Sequence, residues 1–185
     1  MEPNYALARN MAKKVIKDYK LANVPTDLKA IFASLGLKYI ELDDPNDIDG
    51  AIIEIENKPS IAVLNRAKAI QRQRFTLAHE LGHIFLNHKQ RDIYNPEFER
   101  EEAEQEEGGR YEQERMSHKK PPTEIEADVF AAELLIPFEQ LKKYEKEMNN
   151  VEKMAEIFVV SKQAMALAIM NYWRYSRTKK GKQSI

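Results

Sequence analysis

Apolar residues recur at helical spacing from the start of the chain. Over residues 5–20 they fall at Leu7, Met11, Val15, Ile16 and Tyr19, which predicts an amphipathic helix with that face inward. Asn23-Val24-Pro25-Thr26-Asp27 breaks the pattern and caps a second helix, whose inward face is Leu28, Ile31, Phe32 and Leu35. Gly36 stands where a left-handed residue ends a helix with no steric penalty. The pattern then turns β-like. Leu37–Leu42, Ala51–Glu56 and Ile61–Leu64 are short runs, and in the second Ile53 and Ile55 face one way while Glu54 and Glu56 face the other. The turn-rich connectors between them predict a small antiparallel or mixed three-stranded sheet, antiparallel being the simpler reading.

From Arg66 to about His88 the period is helical again, with Ile70, Leu77, Leu81, Ile84 and Phe85 as apolar contacts. After Pro121-Pro122 a helix runs from a capping Thr123 to Leu135, ahead of Pro137. Phe138–Met148, Val151–Phe158 and Ser161–Tyr175 read as three further helices, the last two in helix–turn–helix order with Ser161 as cap. The fold class is α+β. Residues 89–120 differ from all of this: ten acidic and seven basic side chains, Gly108-Gly109, and almost nothing to bury. They read as a solvated loop, with at most a transient charged helix between Pro96 and Glu107.

Bulk properties narrow the function classes. The chain has 185 residues, enough for one domain with a real core. A formal net charge of -1 gives no chain-wide attraction to nucleic acid or acidic membranes. The absence of cysteine excludes disulfides and thiolate metal sites. Met1-Glu2-Pro3-Asn4 lacks the look of a signal peptide, and no apolar run approaches the ~20 residues that cross a bilayer. A cytoplasmic protein without a membrane partner is expected.

The chemistry sits at residues 79–83, His-Glu-Leu-Gly-His. On a helix, residues four apart lie one turn above the other, so His79 and His83 can reach one ion. Glu80 borders that face and is placed to act as general base on a water. Chance would produce this pattern in roughly a few sequences per thousand of this size. A structural zinc site would close its fourth position with cysteine or another histidine, and cysteine is absent. A catalytic Zn2+ needs a third protein ligand. Downstream, Glu124, Glu126 and Asp128 crowd the start of an otherwise apolar helix, where carboxylates also complement the helix dipole. Glu124 and Asp128 stack four apart. Glu124 is assigned as ligand and Asp128 as the acceptor of an imidazole N–H, with Glu126 as fallback ligand.

The blocks Arg74–His83 and Glu124–Pro137 resemble the ImmA/IrrE family of metallopeptidases. Asn65 and Val160-Ser161-Lys162-Gln163-Ala164-Met165 also match that family's habits, and the choice of Glu124 draws on the resemblance too. It implies a zincin-like core over residues 1–137, interrupted by the charged insert at 89–120, and a C-terminal helical region with a basic tail over 138–185. It further implies a zinc endopeptidase that cleaves a helix-turn-helix repressor at a specific site, relieving repression of a mobile element, prophage or stress regulon. The long insert departs from the family pattern. Alternatives are a metallohydrolase with a non-peptide substrate, a non-catalytic protein that grips a transcription factor, and a DNA-binding regulator. The would-be recognition helix is poor in Arg and Asn near its start, so no direct nucleic-acid partner is expected.

Other residues carry weaker expectations. Gly82 costs a helix roughly 1 kcal/mol relative to alanine, which implies that another element approaches there. His88 lies about 140° around a continued helix from His83 and reads as a surface or capping residue. His118 reads as solvated. Tyr94, Tyr111, Arg72 or a histidine could stabilise an oxyanion, and Ile61–Leu64 is a candidate sheet edge for a peptide substrate.

Overall fold

A computed structural model describes residues 2–43, 49–53, 61–88 and 120–182. In chain order the elements are α1 (Tyr5–Asp18), α2 (Leu28–Ser34), β1 (Lys38–Leu42), β2 (Gly50–Ile53), β3 (Ile61–Asn65), α3 (Ile70–Phe85), α4 (Pro122–Leu135), α5 (Phe138–Lys143), a 3-10 turn (Glu145–Glu147), α6 (Val151–Phe158) and α7 (Lys162–Lys182). Residues 89–119 of the charged segment, with its suggested helix, His118, Tyr94 and Tyr111, and the second half of the second β-like run lie outside the described residues.

Local chemistry accounts for most boundaries. Asn4, Asp27 and Asn150 each accept a backbone N–H in the first turn of α1, α2 and α6. Ser161 does the same for α7. Thr123 does not cap α4: Pro121 occupies the cap position and Pro122 opens the helix, where proline's fixed φ is already helical and its missing N–H is not needed. Gly36, at φ 67°, ends α2 in the left-handed conformation its sequence position implies. The helix expected over Phe138–Met148 stops at Lys143 and finishes as the 3-10 turn. The helix read over Ser161–Tyr175 continues through the basic tail to Lys182.

Among the described residues the sheet has three strands in the order β1-β3-β2. The antiparallel reading is corrected at β1, which runs parallel to β3 with Lys38 opposite Ile61 and Leu42 opposite Asn65. Only β2 is antiparallel to β3, from Gly50 opposite Leu64 to Ile53 opposite Ile61. β3 lies between β1 and β2, so chain neighbours are not sheet neighbours. β3 therefore cannot be a peptide-accepting edge, because both its sides are already paired.

The core is continuous from α1 and α2 through β3, α3 and α4 to α6 and α7. Its centre includes Phe130, Phe158, Ile31, Leu81, Leu134, Met154 and Met165, all essentially without exposure. α1 is turned relative to expectation: Ala8 and Ala12 are fully buried, while Leu7 is exposed. Side chains this small let α1 lie close against α4, and close packing outweighs putting the larger Leu7 inside. α6 and α7 meet at a sharp bend of 106° and bury Met154, Phe158, Met165 and Ile169 in the same core. Among the described residues no single helix is long and apolar enough to cross a membrane.

Two contacts set the position of α3. Asn65, fully buried at the end of β3, accepts the Ala67 N–H at 3.0 Å and turns the chain into the helix. Gly82 then faces α4 so closely that an added Cβ would lie 3.0 Å from the Ala127 Cα and 3.1 Å from its carbonyl oxygen. The absent side chain lets the two helices touch backbone to backbone.

Candidate metal centre

His79 and His83 project from α3, one turn apart, and Glu124 from the first turn of α4. One ligand atom from each can be chosen so that all lie within 4.8 Å of one another. Nε2 of His79 and Nε2 of His83 are 3.0 Å apart. The Glu124 carboxylate meets both, Oε2 at 3.1 Å from His79 Nε2 and Oε1 at 3.2 Å from His83 Nε2. His83 and Glu124 are buried, each 4% exposed, in spite of their polarity.

The outer nitrogens are engaged as well. His79 Nδ1 lies 2.9 Å from Asp128 Oδ1, and Lys120 donates to the other Asp128 oxygen. An ionised carboxylate can only accept, so Nδ1 carries the His79 proton in the neutral ring and Nε2 is left with a lone pair. Two imidazole nitrogens and a carboxylate then point their electron pairs at one small volume. Such a set is repulsive unless a cation or a proton lies between its members. Ligands held at 2.0–2.1 Å in a tetrahedron would stand about 3.3 Å apart, close to the separations found here. The donor set fits a divalent metal ion.

The charges of the metal-free site agree. Burial disfavours the protonated His79 ring, but hydrogen bonds and charge from Asp128 and Glu124 outweigh it and raise its pKa to about 9. Burial likewise opposes ionisation of Glu124, and the two histidines override it, holding that carboxyl far below the usual range. Asp128 is also lowered, its burial outweighed by His79 and Lys120. Both carboxylates are thus held ionised, and each favours a positive charge beside it.

Glu80 lies half-buried on α3 between the two histidines. Glu126 does not join the group of His79, His83 and Glu124. Its Oε2 is 3.1 Å from His88 Nε2, and its Oε1 accepts the Asn4 backbone N–H at 2.7 Å. His88 is a correction: its side chain is 7% exposed, with Nδ1 2.9 Å from His83 Nδ1. Burial lowers its pKa, against the pull of Glu126. The straight-helix extrapolation failed because α3 stops at Phe85. Asn87 is left-handed at φ 56°, and the N–H groups of Asn87 and His88 return to the carbonyls of Ile84 and His83. That double return folds His88 back over the helix end. The Asn at 87 is the signal that was available, since asparagine tolerates this conformation. Arg72, an oxyanion candidate, is paired with Asp49.

The peptidase M78 family, described as the IrrE N-terminal-like domain, matches residues 30–170. No curated protein matches significantly. Among solved structures, a Mycobacterium tuberculosis transcriptional regulator aligns with a TM-score of 0.57 at 11% identity, covering 85% of this chain and 44% of that one. That likeness is one of fold, and the chain spans less than half the length of that regulator.

Proposed function

The chain belongs to the peptidase M78 family, and from that premise we propose that it is a zinc-dependent endopeptidase whose ion is held by His79, His83 and Glu124. The observation that carries the reading is the convergence of those three donors at 3.0–3.2 Å from one another. When bound, the ion would act as a Lewis acid on the scissile carbonyl and bring the pKa of a water toward ~7. Glu80 takes the proton of the attacking water and returns it to the leaving amine. Asp128 holds the His79 proton on Nδ1 and so keeps Nε2 turned inward. His and carboxylate donors also accept manganese, so Zn2+ is the expected ion rather than a required one.

The substrate enters as a strand. Among the described residues β3 is paired on both sides and β2 is an edge strand that packs on α3, where Gly50 lies against Thr76, one turn before His79 and Glu80. An extended peptide added there would use backbone hydrogen bonds and pass beside the metal centre. The substrate is a helix-turn-helix repressor, as the family resemblance implies. In this reading residues 1–137 are the catalytic unit, and 138–185 pack against it and help dock the substrate.

Cleavage of unfolded protein and of helix-turn-helix repressors by the zinc-loaded chain tests the proposal, beside Glu80→Gln. That variant should keep its metal and lose turnover. Equal cleavage by both would remove Glu80 from the chemistry, and binding of a repressor without any cleavage would favour a non-catalytic regulator.

A further inference from the structure

The buried contacts on the outer side of His83 carry an inference that rests on the metal-centre reading. We propose that His88 is a positioning residue for His83, itself oriented by Glu126, so that this pair matches on His83 what Asp128 does on His79. The donor and acceptor inventory runs in a single direction. With Nε2 of His83 turned toward Glu124 and His79, its proton is on Nδ1, 2.9 Å from His88 Nδ1. His88 must then accept at Nδ1 and carry its own proton on Nε2, which faces Glu126 Oε2 at 3.1 Å. The remaining oxygen of Glu126 takes the Asn4 N–H at 2.7 Å. Every proton in this chain points outward from the metal centre, and every group has a partner.

The burial of His88 and the folded-back end of α3 show that this ring is held in place rather than merely near. Its side chain is 7% exposed, and its backbone N–H bonds to the carbonyl of His83 itself, at 3.0 Å. The Glu126–Asn4 bond adds a tie to the segment that caps α1. Orientation of a metal-bearing imidazole is thereby shared with the start of the chain.

The test is the affinity for Zn2+, measured by competition with a chromogenic chelator, in the full chain and in His88→Phe, His88→Asn, Glu126→Gln and His79→Ala. Phenylalanine fills the space and accepts nothing, whereas the asparagine Oδ1 takes the place of Nδ1. His88→Phe should lose about 10- to 100-fold in affinity, and His88→Asn should recover most of that loss. Both variants deprive Glu126 of the same partner, so their difference isolates the acceptor facing His83. Glu126→Gln leaves one oxygen for two donors; it should still bind one ion, several-fold more weakly. Wild-type affinity in His88→Phe, or the same loss in His88→Phe and His88→Asn, overturns the proposal. Should neither His88 variant fold, unchanged affinity in Glu126→Gln overturns it. His79→Ala separates the two levels: if it binds Zn2+ as the unaltered chain does, the metal centre itself is wrong and the proposal falls with it.

Discussion

Replacing Gly82 by alanine sets two effects of similar size against each other. In an unobstructed helix the change would stabilise by about 1 kcal/mol, because glycine gives up more backbone freedom. Here the new methyl would lie 3.0 Å from the Ala127 Cα, 3.1 Å from its carbonyl oxygen and 3.2 Å from Phe130 Cδ1. Carbon atoms prefer about 3.5–4.0 Å, so α3 and α4 must separate by roughly half an ångström. Two of the three obstacles are backbone and cannot swing aside. Overpacking of this kind costs about 1–3 kcal/mol, which leaves a net loss of about 0–2 kcal/mol. The metal centre should suffer more than the fold, because its donors come from both helices and such sites tolerate displacements of only about 0.5 Å. Denaturant unfolding of the metal-free protein would read the first quantity and chelator competition the second. The expected signature is a small stability change beside a loss of about tenfold or more in Zn2+ affinity. A variant that gains the full helix-propensity benefit and binds zinc normally would refute the close-contact argument.

Other expectations follow from the same centre. Glu124→Ala should abolish stoichiometric metal binding while Glu126→Ala retains an ion, as metal analysis after dialysis would reveal; the reverse result would restore Glu126 as the ligand. Asp128→Asn leaves the size unchanged but frees the His79 tautomer, and should weaken Zn2+ binding about 10- to 100-fold; an unaltered affinity would show that Lys120 and Asp128 only decorate the site. In the metal-free protein His79 has its pKa raised to about 9 from 6.5. That stabilisation is full below about pH 6.5 and disappears as pH rises through about 9, a change of at most about 3 kcal/mol in unfolding free energy. Zn2+ binding near neutral pH should correspondingly release about one proton, detectable by calorimetry in buffers of different ionisation enthalpy; binding heats independent of buffer would contradict the raised pKa.

The parts legible in the sequence are those set by local spacing. His79 and His83 are four apart on a helix, as are Glu124 and Asp128, and the structure brings the pairs face to face. Gly82 announced a close neighbour, and Ala127 is there. What escaped depends on relations between distant segments. Nothing between Leu42 and Ile61 states that β3 will pair with β1 in parallel before β2 closes the other side. Ala8 rather than Leu7 is buried on α1 because the partner surface is α4, more than a hundred residues later. His88 was misplaced by carrying helical geometry three residues past Phe85, beyond the point where Asn87 reverses the chain. Polar networks are legible when both partners sit on regular elements and are lost when one lies in a turn.

The three acidic residues at the start of α4 make sense as one arrangement. At about 100° per residue, and with Ala127 facing Gly82, Asp128 and Glu124 fall on one flank of the contact and Glu126 on the other. The first flank meets His79 through Asp128 and both histidines through Glu124, while the second reaches His83 by way of His88. Crowding like charges into one helical turn is unfavourable unless cations or donors are distributed among them. Here Lys120, the two imidazole N–H groups and the Asn4 N–H are so distributed. Among the described residues the Glu124 oxygens meet imidazole nitrogens, which must choose between protons and a metal. A small relative shift of α3 and α4 would disturb both flanks together, so in the proposed metal centre the Gly82–Ala127 contact would govern how well the donors grip an ion.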